Sequence, residues 1–524
     1  MKHYGAIACG HEETAKAAAQ ILEDGGNAFD AAVGALFAAC AAEPVLASVG
    51  GGGFLLAKSV DKKPVLYDFF TQTPRQKKVA DELSFYPVNA NFGETTQEFH
   101  IGPGAIATPG CVKGLFDIHQ DLCTLPIKTI LEPAINLAKN GVRLNSFQAY
   151  IFNIISPIYL ANTESRQIFQ SKLSTQTGEP QLVTKGEVLY QPELADTLDA
   201  LSNEGPDLFY QGEIAQSIAT LCAEQGGQLS LDDFRQYNTI KRKPLQLRYR
   251  DHMIFTNPPP SIGGILIAFA LKLLEDINIA SLKYGTKEYI QLLAYIMKVT
   301  NKARVDAAAD CSSDGSIRSV LDAGYLAQYQ KQVGKRFSNA RGTTHISVMD
   351  KKGNIASLTI SNGEGCGSLI PRTGIMLNNM LGEEDLNPKG FHLWQQNQRI
   401  ASMMSPTIVY HDPHHCTALG SGGSNRIRTA ILQVLIHLVD FKMQPEEAIQ
   451  TARIHYENGR LNLEDGITPQ HIAGIENEFN SILHWSSRNL FFGGVHSVSV
   501  RGNQFSGVGD SRRGGYAIEP RFRS

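Results

Sequence analysis

The hydrophobic pattern changes character near residue 341. Before it, apolar residues recur mostly at helical spacing; after it, strand-like alternation is common. Residues 12–43 predict two Ala-rich helices. Glu12–Glu23 stops at Gly25-Gly26, and Ala28–Ala42 starts after the cap Asn27 and stops before Pro44. SVGGGGFLLAK (48–58) and PVLYDFF (64–70) predict a pair of apolar strands. Helical patterns dominate 126–170, with a stop at Gly141, and continue over 186–237. Strand signals return at 245–256, followed by the turn NPPPSIGG (257–264) and mostly helix to 310. THISVMD (344–350) and IASLTIS (355–361) alternate on either side of Lys351–Asn354, which predicts a hairpin. Further strands are predicted at 405–412, 416–422, 493–501 and 504–510, with a helix from Arg426 to Val439. This order, without repeats or low-complexity linkers, fits packed helix and sheet layers of the α+β class better than an array of βαβ units.

Composition narrows the function classes. Of 524 residues, 42% are hydrophobic and 19% charged, enough to fill a core. A formal net charge of −3, with no basic run interleaved with aromatics, gives no electrostatic case for nucleic acid or an anionic membrane as partner. The N-terminal stretch has no signal-peptide pattern. The longest apolar run, Ala31–Ala42, is too short for a membrane span. Eight cysteines without a CxxC pair read as reduced core thiols, and a cytoplasmic location is expected.

Four stretches are candidates for chemistry. VGGGGF (49–54) lacks the GKS or GKT of a phosphate loop and precedes a strand, so it predicts close backbone approach. HDPHHC (411–416) reads as an exposed hairpin turn, since its spacing is incomplete for a closed metal site. GSGGS (420–424) has Ser424 where a nucleophile elbow needs Gly. It reads as a strand-to-helix turn whose backbone NH groups suit an anion. RGTTHIS (341–347) sets Gly342 before a threonine at a strand start. Cleavage there would free an α-amine with a reference pKa near 8, able to act as base for the hydroxyl beside it. Taken by itself, that stretch favours a plain strand N-terminus, since Thr is a strand former.

TTHISVMDKKGNIASLT (343–359) resembles the start of the small subunit in the γ-glutamyltranspeptidase family. The likeness spans nearly the whole chain: ILEDGGNAFDAAV (21–33), EPVLASVGGGGF (43–54), GAIATPGCVKG (104–114), LPIKTILEPAINLAKNG (125–141), NPPPSIGG, GIMLNN (374–379), SMMSPTIV (402–409), GSGGSNRIRT (420–429) and GDSRRGG (509–515). The resemblance implies an N-terminal nucleophile hydrolase with a four-layer αββα sandwich. It also implies autocleavage between Gly342 and Thr343 into a large subunit (1–342) and a small subunit (343–524) that stay one joint globular unit. Thr343 would be the nucleophile, Ser361 its hydroxyl partner, and the NH groups of Gly422, Gly423 or Ser424 the oxyanion hole. Asn379, the acidic run Glu383-Glu384-Asp385 (Glu384 and Asp385 above all) and Ser402 fall where the family binds its donor. No cofactor or metal is implied, and the substrate would be a γ-glutamyl amide such as glutathione.

Several positions depart from the family pattern. Phe70 stands where an Arg clamps the donor α-carboxylate, with Arg75 five residues away. Met403 replaces the second of two serines, and Gly363 an Asn unless Asn362 serves. Loss of a bidentate Arg weakens carboxylate binding. A cephalosporin-acylase-like activity on another carboxyacyl amide, and an uncleaved non-catalytic relative, are the alternatives.

Overall fold

The computed structural model describes residues 5–91, 96–172, 180–310, 321, 326, 343–387 and 390–519. Helices α1 (Glu12–Glu23) and α2 (Ala28–Ala42) form as the pattern predicts. The Asn27 side chain accepts from the amides of Phe29 (2.7 Å) and Asp30 (3.0 Å), and Asp30 answers on the amide of Asn27, closing a capping box. Replacing such a cap by Ala typically costs about 1 kcal/mol. Every residue of α2 is buried, so this helix has no solvent face and lies inside the molecule.

Thirteen strands build two antiparallel sheets: β1 (Gly5–Cys9), β2 (Gly52–Lys58), β3 (Val65–Phe69), β4 (Ile240–Arg242), β5 (Leu245–Tyr249), β6 (His252–Thr256), β7 (Thr344–Asp350), β8 (Ile355–Ser361), β9 (Thr407–Asp412), β10 (His415–Gly422), β11 (Gly494–Arg501), β12 (Gln504–Val508) and β13 (Tyr516–Ile518). The first sheet runs β13-β1-β7-β8-β2-β3-β4 and the second β12-β11-β10-β9-β6-β5. β7 and β8 face β10 and β11 across the sheet interface, and α2 packs on the opposite side of β7 and β8. Helices α3 (Gly263–Leu274) and α4 (Arg426–Val439) pack on each other, with α4 also lying against β10 and β11. The first sheet thus mixes strands from both sides of Thr343.

Alternation in β7 and β8 suggests one wet face, yet all fourteen residues of the two strands are buried. The apolar face (Ile346, Val348, Leu358, Ile360) packs under α2. The polar face lies between the sheets and satisfies itself: His345 Nδ1 sits 2.7 Å from Thr359 Oγ1 and Nε2 2.8 Å from Ser347 Oγ. Burial pushes the His345 pKa well down, so the ring stays neutral there.

The glycines of VGGGGF are close-approach positions. A side chain at Gly50, Gly51 or Gly53 would collide with the carbonyl of Met376, Ser361 or Thr359. HDPHHC forms the β9–β10 hairpin turn. Of the seven described cysteines all are free and six are buried; Cys311 lies outside the described residues. Among the described residues no helix is long and apolar enough to cross a membrane.

Candidate active site

Thr343 directly precedes β7. Register pairs Thr344 with Ile360, so one further step sets Thr343 across from Ser361. Their hydroxyl oxygens are 3.4 Å apart, and Ser361 Oγ also accepts from the amide of Gly363 at 3.1 Å. The next side chain, Thr344, points to the other face and donates to Glu43 at 3.0 Å. Glu43 is fully buried and takes a second bond from Thr14 at 2.9 Å. Burial pushes its carboxyl up to about 7 despite these two donors.

Two segments converge on the Thr343 backbone. At the end of β10, Gly422 lies so close that a Cβ would strike the Thr343 carbonyl oxygen. Gly423 (φ +123°) and Ser424 (φ +52°) continue the turn toward α4. Ser424 Oγ donates to Asp385 Oδ2 at 2.6 Å and Asn425 Nδ2 to Oδ1 at 3.0 Å, tying this turn to the loop after residue 379. From the C-terminal side, Arg513 Nη1 donates to the Thr343 carbonyl at 3.2 Å. The turn bearing Arg513 is set by Asp510. That carboxylate accepts from the amides of Val495 (2.8 Å) and Arg512 (3.0 Å) and pairs with the guanidiniums of Arg453 (2.7 Å) and Arg512 (3.1 Å). Burial by itself would raise the Asp510 carboxyl; the two arginines hold it far below the usual range.

A cavity opens beside Thr343. Ser361, Ser402, Ser424, Glu383 and Asp385 supply its polar lining, and Phe70, Met380, Leu386, Met403, Met404 and Ile427 its apolar lining. Of the residues the sequence picks out, Thr343, Ser361, Asp385, Ser402, Met403 and Ser424 therefore share one cavity, with Gly422 and Gly423 in the turn beside it. Asn379 and Glu384 do not line it. Asn379 is fully buried, accepts from the amide of Glu364 (2.9 Å) and donates to the His100 carbonyl (3.3 Å). Glu384 is exposed, while its neighbour Glu383 is only 5% exposed and lines the cavity. Asn362 is buried outside the lining. Gly363 (φ +64°) occupies a spot where a Cβ would strike Asn379 and Glu383. Gly342, and with it the bond expected to break, lies outside the described residues.

Neither arginine near Phe70 replaces a clamp. Arg75 Nη1 donates to Asn397 at 2.9 Å, away from the cavity. The Arg399 guanidinium lies over the Tyr237 ring (4.6 Å), has its Nε 3.5 Å from Asp68, and donates to the Phe70 carbonyl and the Tyr237 hydroxyl. Phe70 packs on Phe54, centroids 5.5 Å apart. Among the described residues, no group of three or more His, Cys, Asp or Glu side chains could hold a metal ion. Sequence reasoning missed Glu43 and Arg513 as members of this neighbourhood. Glu43 and Arg513 both lie inside family-like stretches (43–54 and 509–515), which was the available signal.

The chain compares with known proteins along its whole length. It is 28% identical over 549 residues to the glutathione hydrolase proenzyme of Bacillus subtilis (strain 168), covering 98% of this chain and 91% of the relative. It is 30% identical over 484 residues to the acylase ACY 1 proenzyme of Pseudomonas sp. (strain SE83), covering 90% and 85%. Its fold matches the crystal structure of cephalosporin acylase from Bacillus halodurans with a TM-score of 0.83 over 100% of this chain and 97% of that one, at 20% identity. The Helicobacter pylori gamma-glutamyltranspeptidase structure gives a TM-score of 0.54 at 26% identity, over 63% of this chain and 91% of that one. The gamma-glutamyltranspeptidase family model matches residues 14–519, and the chain belongs to that family of enzymes.

Proposed function

We propose that this chain is an autoprocessing amidohydrolase and acyltransferase with Thr343 as nucleophile. The carrying observation is the position of Thr343. Its hydroxyl faces Ser361, its carbonyl is held by Arg513 beside the Gly422 turn, and it lines the cavity. The packing order of α2, first sheet, second sheet and α4 supports reading the architecture as the four-layer αββα sandwich of N-terminal nucleophile hydrolases. Residues 1–342 and 343–524 would be the large and small subunits of one joint unit. The buried, free cysteines are in keeping with the cytoplasmic location read from the sequence. Burial also raises thiol pKa values such as that of Cys40, which makes these groups poor nucleophiles.

In processing, Thr343 Oγ attacks the Gly342 carbonyl and the peptide nitrogen leaves as the α-amine, giving an ester that water hydrolyses. In turnover that amine takes the Oγ proton as Oγ attacks the substrate amide. NH groups of the 422–424 turn, at the approach to the N-terminus of α4, stabilise the developing oxyanion. The amine of the leaving group departs with a proton, and water or another amine releases the acyl group from Thr343.

For the donor, a γ-glutamyl amide such as glutathione is the first reading. Asp385, Ser402 and Ser424 line the cavity where the resemblance expects the donor to bind. A second reading, an acylase acting on another acyl amide, is favoured by Phe70 and Met403 in the same lining.

Intact-mass measurement of the purified protein tests the proposal. Two species matching residues 1–342 and 343–524 are expected, and Thr343→Ala should give one uncut, inactive chain. A single full-length wild-type species would instead favour the uncleaved, non-catalytic reading.

A further inference from the structure

The motif NPPPSIGG (257–264) takes no part in the reaction described above, yet it borders the cavity. It joins β6 to α3, and β6 pairs with β9 through Met253–Tyr410 and Phe255–Ile408. Continued past the end of the sheet, that pairing brings the turn beside residues 402–405, which lead into β9. Three of those residues, Ser402, Met403 and Met404, form one wall of the cavity.

The turn supplies donors to the backbone of this wall. The Ser402 carbonyl accepts from Ser261 Oγ at 2.7 Å and from the amides of Ile262 (3.0 Å) and Gly263 (3.1 Å). The Met404 carbonyl accepts from Asn257 Nδ2 at 2.9 Å, with Ser261 Oγ 3.3 Å away. Gly263 sits so close that a Cβ would strike the Met403 carbonyl oxygen. Within the wall, Ser402 Oγ accepts from the Met404 amide (3.0 Å) and Ser405 Oγ donates to the Met403 carbonyl (2.9 Å).

Asn257 and Ser261 are almost fully buried, so water does not compete for these bonds. Removing either donor leaves a buried carbonyl short of a partner, and the wall must shift to recover one. Pro258, Pro259 and Pro260 fix φ along the turn, which keeps its donors in place without a large loss of freedom on folding. Thr343 takes its position from other contacts: Ser361, Arg513 and the Gly422 turn. None of those three passes through 257–264. The turn precedes Thr343 in the chain and the wall follows it.

We propose that Ser261 and Asn257 are positioning residues for the donor: they hold the wall Ser402–Met404 at the place the acyl group needs, and so set donor affinity. This inference rests on the amidohydrolase reading above, which puts the acyl group in this cavity. The segment before Thr343 then shapes a binding wall belonging to the segment after it.

Ser261→Ala deletes one hydroxyl and adds no bulk. γ-Glutamyl-p-nitroanilide and glutaryl-p-nitroanilide serve as donors. On the better-used of the two, KM is expected to rise about tenfold, with kcat and the rate of the cut before Thr343 within about threefold of wild type. If Ser261→Ala yields no folded protein, Asn257→Ala carries the same expectation. Thr256→Val is the control. Thr256 Oγ1 lies 3.1 Å from Thr407 Oγ1, a buried link between the same two segments but outside the cavity lining, and its loss should lower the melting temperature without moving KM. An unchanged KM in Ser261→Ala overturns the inference. So does an equal rise in Thr256→Val, or a cut slowed as much as KM is raised, because each marks general loosening of the fold. A cut wild-type chain that turns over neither donor overturns it as well. Failure of the amidohydrolase reading looks different: the wild-type chain would stay uncut, or Thr343→Ala would keep the wild-type rate.

Discussion

Arg513 donates from its guanidinium to the carbonyl oxygen of Thr343 at 3.2 Å, and both residues are almost fully buried. Burial brings the Arg513 pKa down to about 10, which still leaves it charged at neutral pH. Removing a charged donor from a buried acceptor costs roughly 1.5–3 kcal/mol. Arg513→Met is therefore expected to slow both the cut at Thr343 and turnover by roughly 10- to 100-fold, with Arg513→Lys partly restoring both. Timed denaturing gels and initial rates check this together.

Gly422 admits no side chain. A Cβ there would strike the Thr343 carbonyl oxygen, a backbone atom fixed by β7, so the clash cannot be relieved by a rotamer change. Gly422→Ala should leave the chain uncut and inactive and lower its melting temperature. The mass spectrum and a thermal scan read both effects.

Glu43 predicts a pH-dependent stability. Its folded pKa of about 7 stands above the ordinary 4.5, so between these values the folded state binds the proton that the unfolded state releases. Its contribution is fully present below about pH 4.5 and is lost as pH rises through about 7. The gap corresponds to a few kcal/mol, on the order of 3, at 1.36 kcal/mol per unit. Glu43→Gln removes the charge, keeps an acceptor oxygen for one of Thr14 and Thr344, and turns an NH₂ toward the other hydroxyl, which can accept from it. It should flatten this fall and be more stable than wild type at pH 8, measured by denaturant unfolding at pH 5 and pH 8.

Asp385 accepts from Ser424 and Asn425 at once. Asp385→Asn would turn an NH₂ group toward one of those donors and free the turn beside Gly423. A raised KM together with a lowered kcat is expected, because the same turn lines the cavity and adjoins Thr343. Michaelis curves on the best donor decide it; a wild-type kcat would mean the turn holds its shape without this carboxylate.

Local signals made part of this architecture legible. Gly25-Gly26, the Asn27 capping box and Pro44 bound α1 and α2 correctly. The turn at Lys351–Asn354 is held by Asp350, whose Oδ1 accepts from the amides of Lys352 and Asn354, and it fixed the hairpin and so the Thr343–Ser361 pairing. The flanking strands β1 and β13 were not foreseen. Each is short and gains its identity from pairing with residues more than 300 positions away in sequence, as Gly5 does with Asp350. Which acid of the Glu383-Glu384-Asp385 run faces inward was not legible for another reason. The loop from Met380 to Leu386 is two 3₁₀ turns, and no helix or strand period says which of two adjacent acids faces inward. Arg513 lies in the family-like stretch 509–515, but its aim at Thr343 was not legible because it depends on a buried four-residue ion network, with Asp510 held by Arg453 and Arg512, and Arg512 in turn by Glu464.

The interleaving of the first sheet has a consequence for the order of events in the life of this protein. β7 and β8 are flanked by β1 on one side and β2 on the other, so a pair of strands from after Thr343 is wedged between strands from before it. Opening the chain just before Thr343 would break one covalent link and no strand pairing among the described residues. Two separately made pieces would each begin with unpaired edges in the middle of the sheet, where backbone groups demand partners. Continuity of the chain would then matter for assembly and lose its importance once the sheet is closed, which makes the continuous chain the natural unit of folding.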